Sequence, residues 1–184
     1  SGAVQASIDA EAAWAVTSGK PGVIVAVLDT GVRFDHADLA GKLLPGYDMI
    51  SDDVIAGDGD GRDADASDPG DFLTAADKAA NPSTFDGCDV SDSSWHGTQT
   101  ASLVGAATDN RIGMASIGRN VRVLPLRVLG KCGGYDSDIQ AAMRWAAGLD
   151  VPGVPPNPTP AAVISMSLGS DGACSSSYVT VIND

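Results

Sequence analysis

The sequence predicts an α/β fold of three layers, with a mostly parallel central sheet covered by helices on both faces. Three observations predict it. Short apolar runs rich in β-branched residues fall at 23–28, 121–128 and 161–168. Stretches of helical spacing lie between them, at 95–107 and 137–147. The resulting βαβαβ order needs crossover connections, and these lay helices over a parallel sheet. With 184 residues, 43% of them apolar, the chain is long enough for one domain with a sizeable core. Only 5% are aromatic, so that core is expected to be built mainly from Val, Ile, Leu and Ala.

Taken in order, residues 8–16 read as a short Ala-rich helix with Ser7 as its N-cap. Residues 18–22 (Ser-Gly-Lys-Pro-Gly) read as a turn. Residues 23–28 (Val-Ile-Val-Ala-Val-Leu) are too few for a helix and suit a strand buried on both faces. Residues 48–71 hold nine Asp, one Arg and no Lys, a local charge of −8 with no hydrophobic period, and read as a long surface loop. Residues 95–107 return to helical spacing with small side chains, and 121–128 form a second buried strand. Residues 137–147 read as a helix capped by Ser137 or Asp136, offering Ile139, Met143 and Trp145 for burial. Residues 151–160 hold five of the ten prolines and form a connection to the third strand at 161–168. No internal repeat and no linker divides the chain, so residues 1–184 are read as one domain.

The charge narrows the function classes. The formal net charge is −13, from 24 acidic and 11 basic residues. Phosphate backbones and anionic membrane surfaces both select for clustered Lys and Arg, so neither a nucleic acid nor a membrane is an expected partner. A polyanion favours cations instead. No apolar run approaches the roughly 18 residues of a membrane-spanning helix. The start, Ser1-Gly2-Ala3, suits a processed chain. Three cysteines, Cys88, Cys132 and Cys174, leave one thiol without an internal partner.

Three motifs carry chemistry. Asp29 closes the first strand in Val27-Leu28-Asp29-Thr30-Gly31-Val32. Open parallel sheets place ligands and reacting groups at that end of their strands. An Asp there also serves phosphate transfer, metal binding or loop capping. His96, in Ser94-Trp95-His96-Gly97-Thr98-Gln99, opens a helix of small residues that can pack close to a sheet. A neutral imidazole is the usual general base near pH 7, although a solvated or capping His reads the same way. The segment Val163-Ile164-Ser165-Met166-Ser167-Leu168-Gly169 is a strand that could pair with an extended peptide, or a core strand running into a turn.

Occurring in this order, the three motifs resemble the subtilisin-like serine proteases, the subtilases, and the likeness covers essentially the whole chain. Asp29-Thr30-Gly31, continued through Asp38-Leu39, matches the aspartate motif of that family, and His96-Gly97-Thr98 matches its histidine motif. The resemblance implies a serine endopeptidase acting on polypeptides, with Asp29 and His96 as two members of an Asp–His–Ser triad. It implies substrate contacts at Ser167, Leu168 and Gly169, and at Gly133, Gly134 and Tyr135, which follow the strand Leu124-Pro125-Leu126-Arg127-Val128-Leu129. Two positions depart from the family pattern. Gln99-Thr100 replaces the usual His-Val, and Ser165 replaces an Asn. The Gly-Thr-Ser-Met-Ala segment that carries the nucleophile, and the later Asn of the oxyanion hole, are not among these residues. The chain by itself is therefore expected to be inactive, truncated before the nucleophile helix, unless a second chain carries the rest of the catalytic domain.

The acidic loop and the Cys positions resemble secreted bacterial subtilases that hold disulfides and several calcium ions, implying an extracellular protein. Calcium takes six to eight oxygen ligands. In the acidic loop the expected ligands are Asp58, Asp60, Asp63 and Asp68, with the carbonyl of Arg62. The spacing is not that of an EF-hand, since Asp63 and Pro69 stand at its sixth and twelfth positions. A second site is implied by the resemblance, with side chains of Asp38 and Asn110 and carbonyls of Ala107, Ile112 and Met114. The resemblance also implies a Cys88–Cys132 disulfide between two loops near the cleft, with Cys174 pairing outside these residues. Two other classes compete: an inactive calcium-binding or peptide-binding module, and a phosphate-handling domain with Asp29 as acceptor, for which no phosphate loop or partner Lys is visible.

Overall fold

The computed structural model describes residues 8–173 and 175–184. The expectations for the first residues, for Ser7 as a cap and for Cys174 lie outside the described residues. In chain order the elements are α1 (Ala10–Val16), β1 (Ile24–Asp29), a 3-10 turn (Ala37–Leu39), β2 (Tyr47–Asp48), α2 (Asp53–Ala56) and α3 (Ala75–Ala80). They continue with α4 (His96–Gly105), β3 (Arg122–Arg127), α5 (Asp136–Ala146), β4 (Val163–Met166) and α6 (Ser176–Asn183).

The sheet has four strands in the order β2-β3-β1-β4, and every neighbouring pair is parallel. In register, Asp29 lies opposite Arg127 on β3, and Leu28 lies opposite Met166 on β4. Alternation along the strands builds the layers. Ala26, Leu28, Leu124 and Leu126 face one side, where Ile139, Met143 and Trp145 of α5 pack on them. Val27 and Val123 face the other side and meet Ala101 and Val104 of α4. Burying each such side chain contributes about 1.5–3 kcal/mol. Asp29 shares the parity of Val27, and therefore faces α4.

Several elements differ from the sequence reading. The acidic stretch is not one bare loop. It contains the end of β2, the helix α2 capped by Asp52, and an antiparallel bridge between Asp48 and Asp63. Helix α3 is set by a reciprocal capping box between Thr74 and Asp77, too short a signal to stand out by periodicity. Helix α5 starts one residue early, at Asp136, with Tyr135 as its N-cap and no side-chain cap bond, so neither Ser137 nor Asp136 caps it. Helix α4 begins at His96, after Trp95 in a left-handed conformation (φ 53°).

The β4 side of the sheet is open. Val163 and Met166 are 52% and 40% exposed, and no residue of α6 is fully buried, although Tyr178 and Val181 pack against the core. Parallel strands are ordinarily covered on both faces.

Candidate active site

The site forms where the carboxyl end of β1 meets the start of α4. Gly97 makes the approach possible. A Cβ there would lie 2.1 Å from the Gly31 carbonyl oxygen, so only glycine lets the helix settle on the β1 turn. Thr30 locks the contact, because its hydroxyl accepts from Gly97 N–H (3.0 Å) and donates to Asp68 (2.6 Å). Arg33 N–H donates to the Thr98 hydroxyl at 3.0 Å. The Arg33 guanidinium lies 5.2 Å from the centre of the Trp95 ring, beside the left-handed residue that aims His96.

Asp29 and His96, 67 residues apart in sequence, meet there. Nδ1 of His96 lies 2.8 Å from Oδ1 and 2.9 Å from Oδ2 of Asp29. The Asp29 side chain is 1% exposed, the His96 side chain 42%. Thr30 N–H also donates to Oδ1 (2.8 Å), and the Thr100 hydroxyl lies 3.1 Å from Oδ2. A carboxylate only accepts, so in the neutral imidazole Nδ1 carries the proton and the lone pair lies on Nε2. Nε2 has no hydrogen-bond partner among the described residues. A half-exposed imidazole oriented by a buried carboxylate is the arrangement of a general base.

The expected substrate residues lie at the same end of the sheet, after the strands that flank β1. Ser167, Leu168 and Gly169 follow β4. Gly133, Gly134 and Tyr135 follow β3. Gly134 is pressed against the strand, since a Cβ would lie 2.0 Å from the Val128 carbonyl. Tyr135 is 45% exposed. The structure joins Cys88 to Cys132 in a disulfide, with Cα atoms 6.0 Å apart. It ties the loop before α4 to the loop after β3. Lys131 reinforces that tie by an ion pair to Asp77 (2.8 Å) and by lying 5.0 Å from the centre of the Phe72 ring.

The two expected metal sets fare differently. In the acidic loop the ligands do not converge. Asp68 is buried and turned to Thr30 and to Gly70 N–H, and burial pushes its carboxyl up. Asp63 accepts from Asp65 N–H at 2.9 Å, and Asp60 stays exposed. Asp58 pairs with Arg127, whose buried guanidinium also holds Asp48 and the carbonyl of Ala56. The Arg62 guanidinium goes to Asp138 (2.6 Å) and the Met49 carbonyl. Part of the negative charge of this loop is thus met by Arg127. Among the described residues no three His, Cys, Asp or Glu side chains are grouped to hold a metal.

The second set does come together. Asp38 is buried and receives Asn110 Nδ2 (2.7 Å) and Met114 N–H (2.8 Å) on its two oxygens, and these hold its carboxyl below the usual range. Its carbonyl accepts from Ala107 N–H (2.7 Å), and Ile112 N–H donates to Asn110 Oδ1 (3.2 Å). Residues 108–115 line a pocket of about 560 Å³, and Thr108 Oγ1 is buried there without a partner. The buried Asp38 carboxylate and the unpartnered Thr108 hydroxyl are oxygen donors of the kind a hard cation takes, while both Asp38 oxygens here accept from N–H groups and Arg111 also lines the pocket.

The sequence reading did not single out Thr100, Arg127 or the Thr30–Asp68 bond as parts of this region. Only Thr100 had a usable signal, four residues after His96 and so on the same helix face.

An acid and an imidazole thus meet over the strand ends of a parallel sheet. Residues 20–184 match the model of the subtilase family, and the chain belongs to that family. It is 46% identical over 182 residues to an extracellular protease of Xanthomonas campestris, covering 99% of this chain and 30% of that protein. It is 46% identical over 162 residues to an extracellular basic protease of Dichelobacter nodosus, covering 88% and 26%. A protease structure from Pseudoalteromonas arctica superposes with a TM-score of 0.84 at 50% identity, covering 93% of this chain and 48% of that one. The chain therefore spans under a third of these two relatives and about half of the solved structure.

Proposed function

We propose that this chain supplies the Asp–His part of a secreted serine endopeptidase. The observation that carries the reading is the buried Asp29 carboxylate on Nδ1 of a half-exposed His96. In this mechanism a Ser hydroxyl attacks the peptide carbonyl, His96 takes its proton through Nε2 and returns it to the leaving amine, and Asp29 stabilises the imidazolium between the two steps. The Ser and the side-chain oxyanion donor come from polypeptide outside these 184 residues, in the same or a second chain. The exposed flank of β4 and α6 supports this, since it offers an apolar seat for that polypeptide. An extended peptide substrate would run between Gly133-Gly134-Tyr135 and Ser167-Leu168-Gly169, pairing with backbone on either side. The names of the relatives support secretion, and the disulfide agrees with it.

Calcium belongs to the same reading at the Asp38 loop. Asp38, Asn110, Thr108 and the carbonyls of Ala107, Ile112 and Met114 would hold it, and it would supply positive charge that pins the loop. Adding a chelator should then lower Tm and speed proteolytic nicking within residues 107–114. Neither changing would remove calcium from the proposal.

Activity is tested in the full-length protein. His96→Ala should lower kcat/KM on a peptide substrate by about 10⁴-fold or more with Tm unchanged. Residual activity within tenfold of wild type would sink the assignment of His96, whereas wild-type protein that binds the peptide without cleaving it would favour an inactive peptide-binding module.

A further inference from the structure

We propose that Thr100 is a positioning residue for the Asp29–His96 pair, its hydroxyl setting how firmly the Asp29 carboxylate holds the imidazole; this rests on the protease reading above. Residues four apart share a helix face, so the first two turns of α4 present His96 and Thr100 to Asp29 together. The carboxylate is 1% exposed and must be satisfied by protein donors. Oδ1 has Thr30 N–H to itself at 2.8 Å. Oδ2 has the shared Nδ1–H of His96 at 2.9 Å and the Thr100 hydroxyl at 3.1 Å. Without Thr100, Oδ2 has the shared imidazole proton alone.

The Thr100 hydroxyl also lies 3.1 Å from the Gly97 carbonyl. It has one proton for two acceptors at equal distance, and the bond to the ionised group is the stronger. The carboxylate then divides its charge among three donors, draws less on the imidazole proton, and stays fixed in plane. Other charged groups border the pair. Asp68 reaches it through Thr30, Asp71 through Ser94, Arg127 is the register partner of Asp29 on β3, and Arg33 covers Trp95. None of these donates to Oδ2, so the contribution of Thr100 is separable from theirs.

The test compares Thr100→Val, which keeps the side-chain shape, with Thr100→Ser, which keeps the hydroxyl, in the full-length protein. Loss of the donor leaves a more basic carboxylate, which favours the charged imidazole. Thr100→Val should move the acid limb of the kcat/KM profile to higher pH by about half a unit. It should lower kcat about three- to tenfold with KM unchanged. The downfield NMR resonance of the His96 Nδ1 proton, assigned by its loss in His96→Ala, should shift, and Thr100→Ser should restore all three readings. If Thr100→Val changes only Tm, the hydroxyl serves the Gly97 carbonyl and the proposal is wrong. If wild-type protein cleaves no peptide but the Nδ1 resonance still moves, Thr100 keeps its positioning role and the protease reading falls.

Discussion

Replacing both Cys88 and Cys132 with Ser tests how the cleft loops are held. Changing both, rather than one, keeps a freed thiol from exchanging with Cys174. The bridge closes a segment with a sequence separation of 44 residues. In the chain-entropy account, closing a loop of that length in the unfolded state is worth about 4 kcal/mol at 25 °C. Native contacts moderate the structural consequence. Lys131 would keep its ion pair to Asp77, its backbone bond to Ile55 and its place against Phe72, and Lys78 would keep its bond to the Cys88 carbonyl. The loss should therefore act mainly through the unfolded chain. Urea unfolding of full-length protein, followed by Trp fluorescence with autolysis blocked, should show a fall of about 2–4 kcal/mol. Hydrolysis at low temperature should stay within a few-fold of wild type. A fall below about 1 kcal/mol would refute the reasoning, because the bridge would then restrict nothing that other contacts do not already restrict.

Three further outcomes follow from the packing around the site. Arg127→Met should cost about 3–5 kcal/mol in chemical unfolding, because it leaves the buried Asp48 carboxylate without its cation; adding Asp48→Asn should recover much of that. Burial pushes the Asp48 carboxyl up to about 7 against the opposing pull of Arg127. A raised value in the folded state means that Asp48's contribution to stability is full below about pH 4 and is lost as pH rises through 7. The difference in unfolding free energy between wild type and Asp48→Asn should therefore drift against wild type across that window, and a flat difference would contradict the burial argument. Gly97→Ala should cost above about 4 kcal/mol or prevent folding, because the added Cβ meets the backbone oxygen of Gly31, which has nowhere to go. Gly22→Ala, with nothing within 4 Å of the new Cβ, is the control and should stay within about 0.5 kcal/mol on thermal unfolding.

Local chemistry made much of this protein legible from its sequence. Strands β3 and β4 lie within their apolar runs and β1 passes its run only by Asp29, because β-branched runs of that length have few other stable homes. Burial of Ile139, Met143 and Trp145 follows from their helical spacing. Elements fixed by two- or four-residue contacts were not legible. β2 exists because Tyr47 and Asp48 pair with Leu126 and Arg127, and α3 because Thr74 and Asp77 cap each other.

The sequence by itself determined the α/β class, the strand-ending Asp29 and the helix-opening His96, since each rests on residues adjacent in the chain. Only the tertiary structure decided what those residues touch. It brought Arg127 of β3 to Asp48 and Asp58 of the acidic loop and paired the loop's own Arg62 with Asp138 of α5. It turned Asp68 toward Thr30, gathered residues 107–114 around Asp38, and set Thr100 beside the Asp29 carboxylate. The physical reason is that periodicity and turn chemistry act over a few residues. The charge balance of a buried carboxylate, in contrast, depends on donors brought to it from elements some 70 to 80 positions away.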